Sequence, residues 1–531
     1  MNYSRFAIAA LFVLAQAVLP PSAVSTPKKA PSSALAVFAV DTNAPTKPYH
    51  QRIFGGFLEH FDSQVYGGVF EPGSPLADGP GFRVDVIAAI KELKVPVIRW
   101  PGGCFVDTYH WQNGVGKNRP PQGDFRWGVI EPNTFGTHEF VELCRRVGAE
   151  PYICHNGLAD PQENIDWVAY CNATEGRFAA MRKANGHPEP LNVRFWSVGN
   201  ERYDQDYANR VRDTLKAMKA LDPGLQVTCA GSQGDGGKQI AGVSSYLMEQ
   251  AGRYLDYVSV HNYYLPRADQ LPNFDYLTAI TKSEAPEVNM TIVTESLRKA
   301  GFDRIRIAFD EWNLRAWQHP GFPRDVVENY DAPAIRELVE RRRKQNDLAS
   351  QYTMADALFA ASFLNACLRH SEQVTMATIA PLVNTRGPLF VHPKGLVKRT
   401  HFHTLAMYAN LLQSRVAVGQ VTADKLTQGT ESVAVVDAIA TSDESGRQWA
   451  IALINRHPAE AVACGVKLGN VPLEGTFKAT QLAGDSPDAY NDIDHPDRVA
   501  PKKVRLAFRK GVADLPPHSL TIVHLDNKQP R

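Results

Sequence analysis

Eight short apolar runs, separated by helix-length stretches, fill residues 53 to 383, and this alternation constrains the fold more than any other feature. The runs are Ile53–Glu59, Val95–Trp100, Pro151–His155, Val193–Glu201, Gln226–Ala230, Tyr257–His261, Arg306–Glu311 and Val374–Val383. Helix candidates lie between them at Val84–Leu93, Phe140–Val147, Ile165–Ala173, Ala208–Leu221, Ser245–Tyr254 and the long stretch Ile335–Leu368. A continuous apolar run reads as a strand buried on both faces, which is the condition of a parallel sheet covered by helices. Eight strand–helix units over roughly 350 residues predict a closed (β/α)8 TIM barrel, here residues 51–414, rather than an open sheet.

Past residue 415 the pattern changes. Short alternating strands are predicted at Ser432–Ile439, Gln448–Asn455, Val462–Leu468, Thr476–Leu482, Lys503–Phe508 and Ser519–His524, with turns such as Glu444–Arg447 between them. This is the signature of a C-terminal antiparallel β-sandwich, residues 415–527. A chain of 531 residues also exceeds what one core usually fills.

The N-terminus reads differently again. Arg5, an apolar stretch from Phe6 to Leu19 and small residues at Ala23 and Ser25 predict a signal peptide over 1–25, hence a secreted protein, periplasmic or extracellular. That stretch is too short to span a bilayer comfortably, and no later segment is long enough, so no membrane association is expected after cleavage. Residues 26–34 are Thr, Pro, Lys, Ala and Ser, a linker composition. Leu35–Asp41 has strand character, and 35–50 forms its own N-terminal segment.

A formal net charge of +1 without long basic runs offers nucleic acid no electrostatic footprint, whereas a neutral glycan suits it. The seven cysteines are scattered, contain no Cys-x-x-Cys pair, and leave at least one without an intramolecular partner.

Three of the barrel runs end abruptly in acids: Glu59 closes the first, Trp196-Ser-Val-Gly-Asn-Glu201 the fourth, and the seventh reads Ile307-Ala-Phe-Asp-Glu-Trp-Asn313, with the last two set against each other. An isolated Asn-Glu pair past a strand is ordinarily a surface feature. Two glutamates ending different strands of one barrel, however, can face each other across a sugar, one donating a proton and the other attacking the anomeric carbon. Asn200 offers a hydrogen-bonding amide beside Glu201, while Trp312 offers an apolar wall beside Glu311. Asp310, one residue before Glu311, is expected on the opposite side of its strand.

Phe57-Leu-Glu-His60, Tyr66-Gly-Gly68 with Glu71–Asp78, Arg99-Trp-Pro-Gly-Gly-Cys-Phe105, Gly199-Asn-Glu201, His261-Asn-Tyr263 and Asp310-Glu-Trp-Asn313 follow one another along the chain. In this set the sequence resembles the retaining glycosidases, and more narrowly the α-L-arabinofuranosidases of glycoside hydrolase family 51. The resemblance implies that Glu201 is the acid/base and Glu311 the nucleophile. It also implies sugar contacts from Glu59, Asn200 and Tyr263, and a pocket floor made by Pro101-Gly-Gly-Cys104, with Cys104 within reach of the sugar. His155 and Asn156, ending strand three, are candidates for the pocket wall. His261 is read as structural, and His60 as a hydrogen-bonding residue of its own loop. Arg399 stands where many members carry a glutamine, and as a pocket residue it would alter the outer sugar edge. The Leu35 strand is expected to pair with the C-terminal sheets, and the protein to be a homo-oligomer, commonly a hexamer.

The implied activity is exo-hydrolysis of terminal non-reducing α-L-arabinofuranosyl groups from arabinan, arabinoxylan or their oligosaccharides, with retention and without a cofactor. His401 and His403 lack further ligands at workable spacing, so no metal is assigned. The rivals are a β-glucan or β-xylan hydrolase on the same barrel and a catalytically silent sugar-binding protein.

Overall fold

The computed structural model describes residues 35–124, 126–234, 240–266, 275–316 and 352–526. The expected signal peptide and linker, and the Ile335–Leu368 stretch before residue 352, lie outside the described residues.

Eight parallel strands close into a barrel: Gly55–Phe57, Val97–Trp100, Glu150–His155, Phe195–Val198, Gln226–Gln233, Tyr257–Leu265, Arg306–Arg315 and Val374–Ile379. Each corresponds to one of the apolar runs. The fifth, sixth and seventh strands extend beyond them, because the polar residues that continue these strands stay buried rather than meet solvent.

Strand alternation sorts the side chains. Val97, Tyr152, Phe195, Tyr257, Ala308 and Met376 form one buried layer inside the barrel. Two residues further along, Arg99, Cys154, Ser259 and Asp310 make the next interior layer polar and mutually bonded. The alternate residues point outward against the helices, as Trp100 does on Phe140 at 4.8 Å and Phe309 on Phe363 at 5.2 Å between ring centroids.

Helix Met354–Arg369 is buried on every side, from Met354 to Leu368. One face packs on the barrel through Phe363, and the other meets the C-terminal sheets, where Asn365 Nδ2 donates to Asp437 at 3.0 Å. Thr353 and Asp356 cap its start reciprocally. Helix Ala285–Lys299 has no counterpart in the sequence reading, since only Met290, Val293 and Leu297 of its larger apolar residues are buried and they carry a weak periodic signal. No helix among the described residues is long and apolar enough to cross a membrane.

The C-terminal sheets enclose a second core. A seven-stranded sheet runs Lys47–Pro48, Arg415–Val416, Val436–Ser442, Gln448–Asn455, Ser519–Asp526, Gly475–Ala483, Lys502–Phe508, with every neighbouring pair antiparallel. In the facing sheet Leu35–Val40 lies between Gly419–Ala423, antiparallel, and Val462–Leu468, parallel. Phe38, Val466 and Leu515 from this sheet share one apolar cluster with Ala440, Leu453 and Val523 from the other. All seven cysteines are free thiols, six of them buried and Cys104 partly exposed.

Candidate active site

A charge in the middle of a buried strand needs partners. Arg99, inside the barrel on Val97–Trp100, has three oxygen partners besides the Cys154 thiol: Nη1 donates to Glu311 Oε1 at 2.6 Å, Nη2 donates to Asn200 Oδ1 at 2.8 Å, and Nε lies 3.4 Å from Asp310 Oδ2. One guanidinium thus gathers the ends of the second, fourth and seventh strands. An arginine inside an apolar run is a signal the sequence reading quoted in a motif without assigning it a role.

Asp310 and Glu311 both point into the barrel, which corrects the expectation that Asp310 faces the other way. The register explains it: Ala308 pairs with Ser259 and Glu311 with His261, so three steps on the seventh strand match two on the sixth. This bulge inserts one residue and turns two consecutive carboxylates to the same side. Asp310 accepts from Tyr152 Oη at 2.8 Å and Ser259 Oγ at 2.6 Å.

Glu201 leaves the fourth strand with φ of 46°, a left-handed conformation that is uncommon for a residue with a side chain. The turn before it depends on Gly199, at φ 69°, where a Cβ would stand 2.8 Å from the ring of Tyr207. His261 joins the two strand ends. Its Nδ1 lies 2.9 Å from Glu201 Oε1 and 3.6 Å from Glu311 Oε1, and its Nε2 lies 3.4 Å from Asp310 Oδ1. A carboxylate oxygen of Glu201, one of Glu311 and a ring nitrogen of His261 all lie within 4.8 Å of one another. His261 is therefore part of the cluster and more than a structural neighbour.

Around this pair stand several of the expected residues. Tyr263 Oη donates to Glu311 Oε2 at 2.7 Å. Cys104 Sγ is 4.0 Å from Glu201 Oε2 and 3.8 Å from Asn200 Nδ2. Glu59 accepts from the Phe105 backbone N–H and from Trp127 Nε1, both at 2.8 Å. A Cβ on Gly103 would come within 2.9 Å of Glu311 Oε1 and 3.3 Å of Glu59 Oε2, so the missing side chain is what leaves this space open. Trp127, which fixes Glu59 from a hairpin 68 residues away, carries no local pattern that could have announced it.

Other expected contacts do not join the cluster. His155 follows the inward-facing Cys154 on its strand and so points outward, stacking on Trp196 at 4.7 Å, with burial lowering it to about 3. Trp312 likewise faces outward and stacks on Phe363 at 3.8 Å. Asn156 folds its own loop, accepting from Leu158 N and Ala159 N and donating to the Tyr109 carbonyl. Buried Arg399 donates to the carbonyls of Thr385 and Gly387 and lies over the Tyr352 ring at 3.9 Å, contacts that brace the loop after the eighth strand. His60 sits buried between Glu131 and Trp100, with Nδ1 2.6 Å from Glu131 and Nε2 accepting from Trp100 Nε1.

The electrostatics divide the acids. Burial pushes Asp310 up, but Arg99, His261 and Ser259 outweigh it and hold the carboxyl at about 2. Burial pushes His261 down, yet Glu311, Asp310 and Glu201 raise it to about 10. Glu59 is driven well above the carboxylate range, first by burial and then by the charge of Glu311. Burial also raises Glu311, against the opposing pull of His261 and Arg99. Glu201, His261 and Glu311 stand close enough to hold a cation. A protonated imidazole has no lone pair to offer, however, and Arg99 already supplies positive charge, so the trio fits an acid–base site better than a metal site.

Comparison with known proteins agrees with this geometry. Residues 89–279 match the α-L-arabinofuranosidase 1 domain model and residues 310–519 the α-L-arabinofuranosidase C-terminal domain model. The chain is 32% identical over 508 residues to α-L-arabinofuranosidase C of Emericella nidulans, covering 89% of this chain and 94% of that one. It is 29% identical to an intracellular exo-α-(1→5)-L-arabinofuranosidase of Streptomyces lividans, over 88% of this chain and 71% of that one. Among solved structures, the family 51 arabinofuranosidase of Xanthomonas axonopodis pv. citri superposes with a TM-score of 0.79 at 27% identity, over 93% of this chain and 100% of that one. With the barrel, the paired glutamates and this relationship along nearly nine-tenths of its length, the chain belongs to the α-L-arabinofuranosidases of glycoside hydrolase family 51.

Proposed function

We propose that the protein is an exo-acting, retaining α-L-arabinofuranosidase in which Glu311 is the nucleophile and Glu201 the acid/base. The observation that carries this is the approach of the two carboxylates to within 4.8 Å, oxygen to oxygen. Retaining glycosidases hold their carboxyls about 5 to 5.5 Å apart, whereas inverting ones leave about 6.5 to 9.5 Å for a water.

Charge balance supports the division of roles. Asp310, held at about 2, balances one of the two cations, Arg99 and His261, and Glu59 is kept protonated. The second cation favours one further carboxylate, and Glu311 is the better placed, 2.6 Å from Arg99 and 2.7 Å from Tyr263 Oη. Glu201, with Oε1 facing His261, can carry its proton on Oε2 beside Cys104. In the first step a Glu311 oxygen bonds to the anomeric carbon while the leaving oxygen departs with the Glu201 proton. In the second, Glu201 takes a proton from water, whose oxygen displaces Glu311 and restores the original configuration. Glu59, Cys104, Asn200 and Tyr263 are assigned to the hydroxyls and ring of the bound furanose.

Arabinan, arabinoxylan and their oligosaccharides are the proposed substrates, cut at terminal non-reducing arabinofuranosyl groups. NMR of the first-formed anomer tests the mechanism, and inverted product would sink it. Glu311→Ala should abolish turnover while binding persists, and azide added to Glu311→Ala should yield the β-azide. Activity on xylan or glucan main chains in place of aryl arabinofuranosides would favour the rival glycan.

Export is proposed from the composition of residues 1–25, although the Streptomyces relative is named intracellular, and mass spectrometry of the mature N-terminus decides it. A homo-oligomer, commonly a hexamer, is proposed from the family resemblance, with sedimentation as its check.

A further inference from the structure

We propose that Asp107 is a positioning residue for Glu201, acting through Arg202 and tying the acid/base to the opposite pocket wall. The proposal rests on the assignment of Glu201 made above.

Asp107 lies on the short helical turn Cys104–Thr108 after the second barrel strand, with a side chain 1% exposed. It is shared by two guanidinium groups. Arg202 donates to it through Nη2 at 3.0 Å and Nε at 3.3 Å, and Arg126 donates to it through Nη2. Arg202 directly follows Glu201, the residue at φ 46°. A non-glycine residue keeps a left-handed conformation only where its surroundings hold it there. Upstream, the chain is fixed by Gly199 N–H donating to the His155 carbonyl and by Tyr207 Oη donating to Val198. Downstream, the Arg202–Asp107 pair fixes the other side.

Arg126 occupies the turn of the hairpin between Gln122–Asp124 and Val129–Glu131. Its neighbour Trp127 donates to Glu59 and stacks on Phe61 at 3.9 Å. The hairpin is also anchored to the Asp107 turn, with Asp124 accepting from Thr108 Oγ1 at 2.7 Å and Gln122 Nε2 donating to the Thr108 carbonyl at 2.7 Å. One buried carboxylate therefore connects the peptide that carries the proton donor to the wall that carries Glu59. Removing its charge frees Arg202 and lets Glu201 drift, while Glu311, held by Arg99 and Tyr263, keeps its place.

A displaced acid has a specific kinetic signature. Dinitrophenolate departs without a proton, whereas phenolate or a sugar alkoxide needs one, so loss of acid positioning penalises poor leaving groups selectively. The experiment compares kcat/KM, which reports bond cleavage to the first sugar, across aryl α-L-arabinofuranosides from 2,4-dinitrophenyl to phenyl. Asp107→Asn is expected to stay within about threefold of the parent on the dinitrophenyl substrate and to fall about 30-fold or more on the phenyl one, given that general acid catalysis contributes about 10²- to 10⁴-fold. Arg202→Met should reproduce this slope and Arg202→Lys should restore part of it. An equal loss across the series, or no loss, overturns the proposal. Should Asp107→Asn fail to fold, Arg202→Met decides, since Asp107 then remains paired with Arg126. Glu201→Ala is run alongside. If that variant shows no leaving-group dependence, the assignment of Glu201 itself is wrong; if it does and the Asp107 and Arg202 variants do not, only the positioning role is.

Discussion

Asp310 and Glu311 are consecutive on one strand, yet both carboxylates reach Arg99, one 3.4 Å from Nε and the other 2.6 Å from Nη1. Regular pleating would send one of them outward, and the bulge between Ala308 and Glu311 prevents it. Asp310 consequently serves the interior layer below, bonded to Tyr152 and Ser259, while Glu311 stands at the pocket. Asp310, ionised because its carboxyl is held at about 2, helps keep Arg99 and His261 charged beneath Glu311.

Replacing Arg99 by Met strips these two acids of a buried cation. Breaking a buried ion pair from one side costs about 3 to 5 kcal/mol, and a stability loss of that order is expected by urea unfolding, with kcat down at least about 100-fold. Asp310 adds a pH test. Its folded value of about 2 is below the ordinary 3.8, so its contribution is present above 3.8 and lost as pH falls through 2. Without Arg99 the folded value rises, and the acid limb of the stability profile should move to higher pH.

Trp312 separates packing from recognition. It is 1% exposed and stacked on Phe363, so Trp312→Ala should cost about 3 to 5 kcal/mol of stability through the cavity it leaves, with KM for 4-nitrophenyl α-L-arabinofuranoside within about twofold. A raised KM at unchanged melting temperature would instead restore the reading of Trp312 as a sugar wall.

The barrel was legible because parallel strands buried on both faces write themselves as apolar runs, and the two glutamates because they end such runs. What failed was the phase of the strands. Tyr152 and Cys154 face inward, which alone sends His155 outward, but a run in which nearly every position is apolar does not reveal its inner face. The bulge that turns Glu311 to the same side as Asp310 has no composition of its own. Trp127 and Arg126 reach the site from a hairpin, and their partners Glu59 and Asp107 stand 68 and 19 residues away, at no local spacing that pairs them before the chain folds. His261 reads as structural in the sequence because its three acidic neighbours come from two other strands and meet it only in the folded chain.

His261 should make stability fall toward alkaline pH. Its value of about 10 in the folded protein stands above the ordinary 6.5, so its stabilising contribution is complete below 6.5, declines above it and is gone once pH passes 10. The unfolding free energy of the parent is expected to drop across that window by at most about 1.4 kcal/mol per pH unit from this group, and the slope should flatten in His261→Asn. An unchanged slope in the variant would show that the imidazole is neutral in the fold.

Arg456 offers a test of how the C-terminal sheets are attached to the barrel. Its buried guanidinium donates to Ser362 Oγ at 2.8 Å on helix Met354–Arg369, to Asp437 at 3.2 Å on the seven-stranded sheet, and to Glu284 at 3.1 Å. Arg369 reaches the same Asp437 at 3.0 Å and Glu287 at 2.7 Å, so Asp437, whose carboxyl burial raises and these two arginines lower further, sits at the centre of the junction. Arg456→Met leaves that buried carboxylate with one cation fewer, a change expected to cost about 3 to 5 kcal/mol. Because Arg456 bonds none of the residues around Glu201 and Glu311, kcat at 25 °C should remain within about twofold. Calorimetry should show the C-terminal sheets melting before the barrel in the variant; one cooperative transition at the parent temperature would mean that apolar packing alone holds the junction.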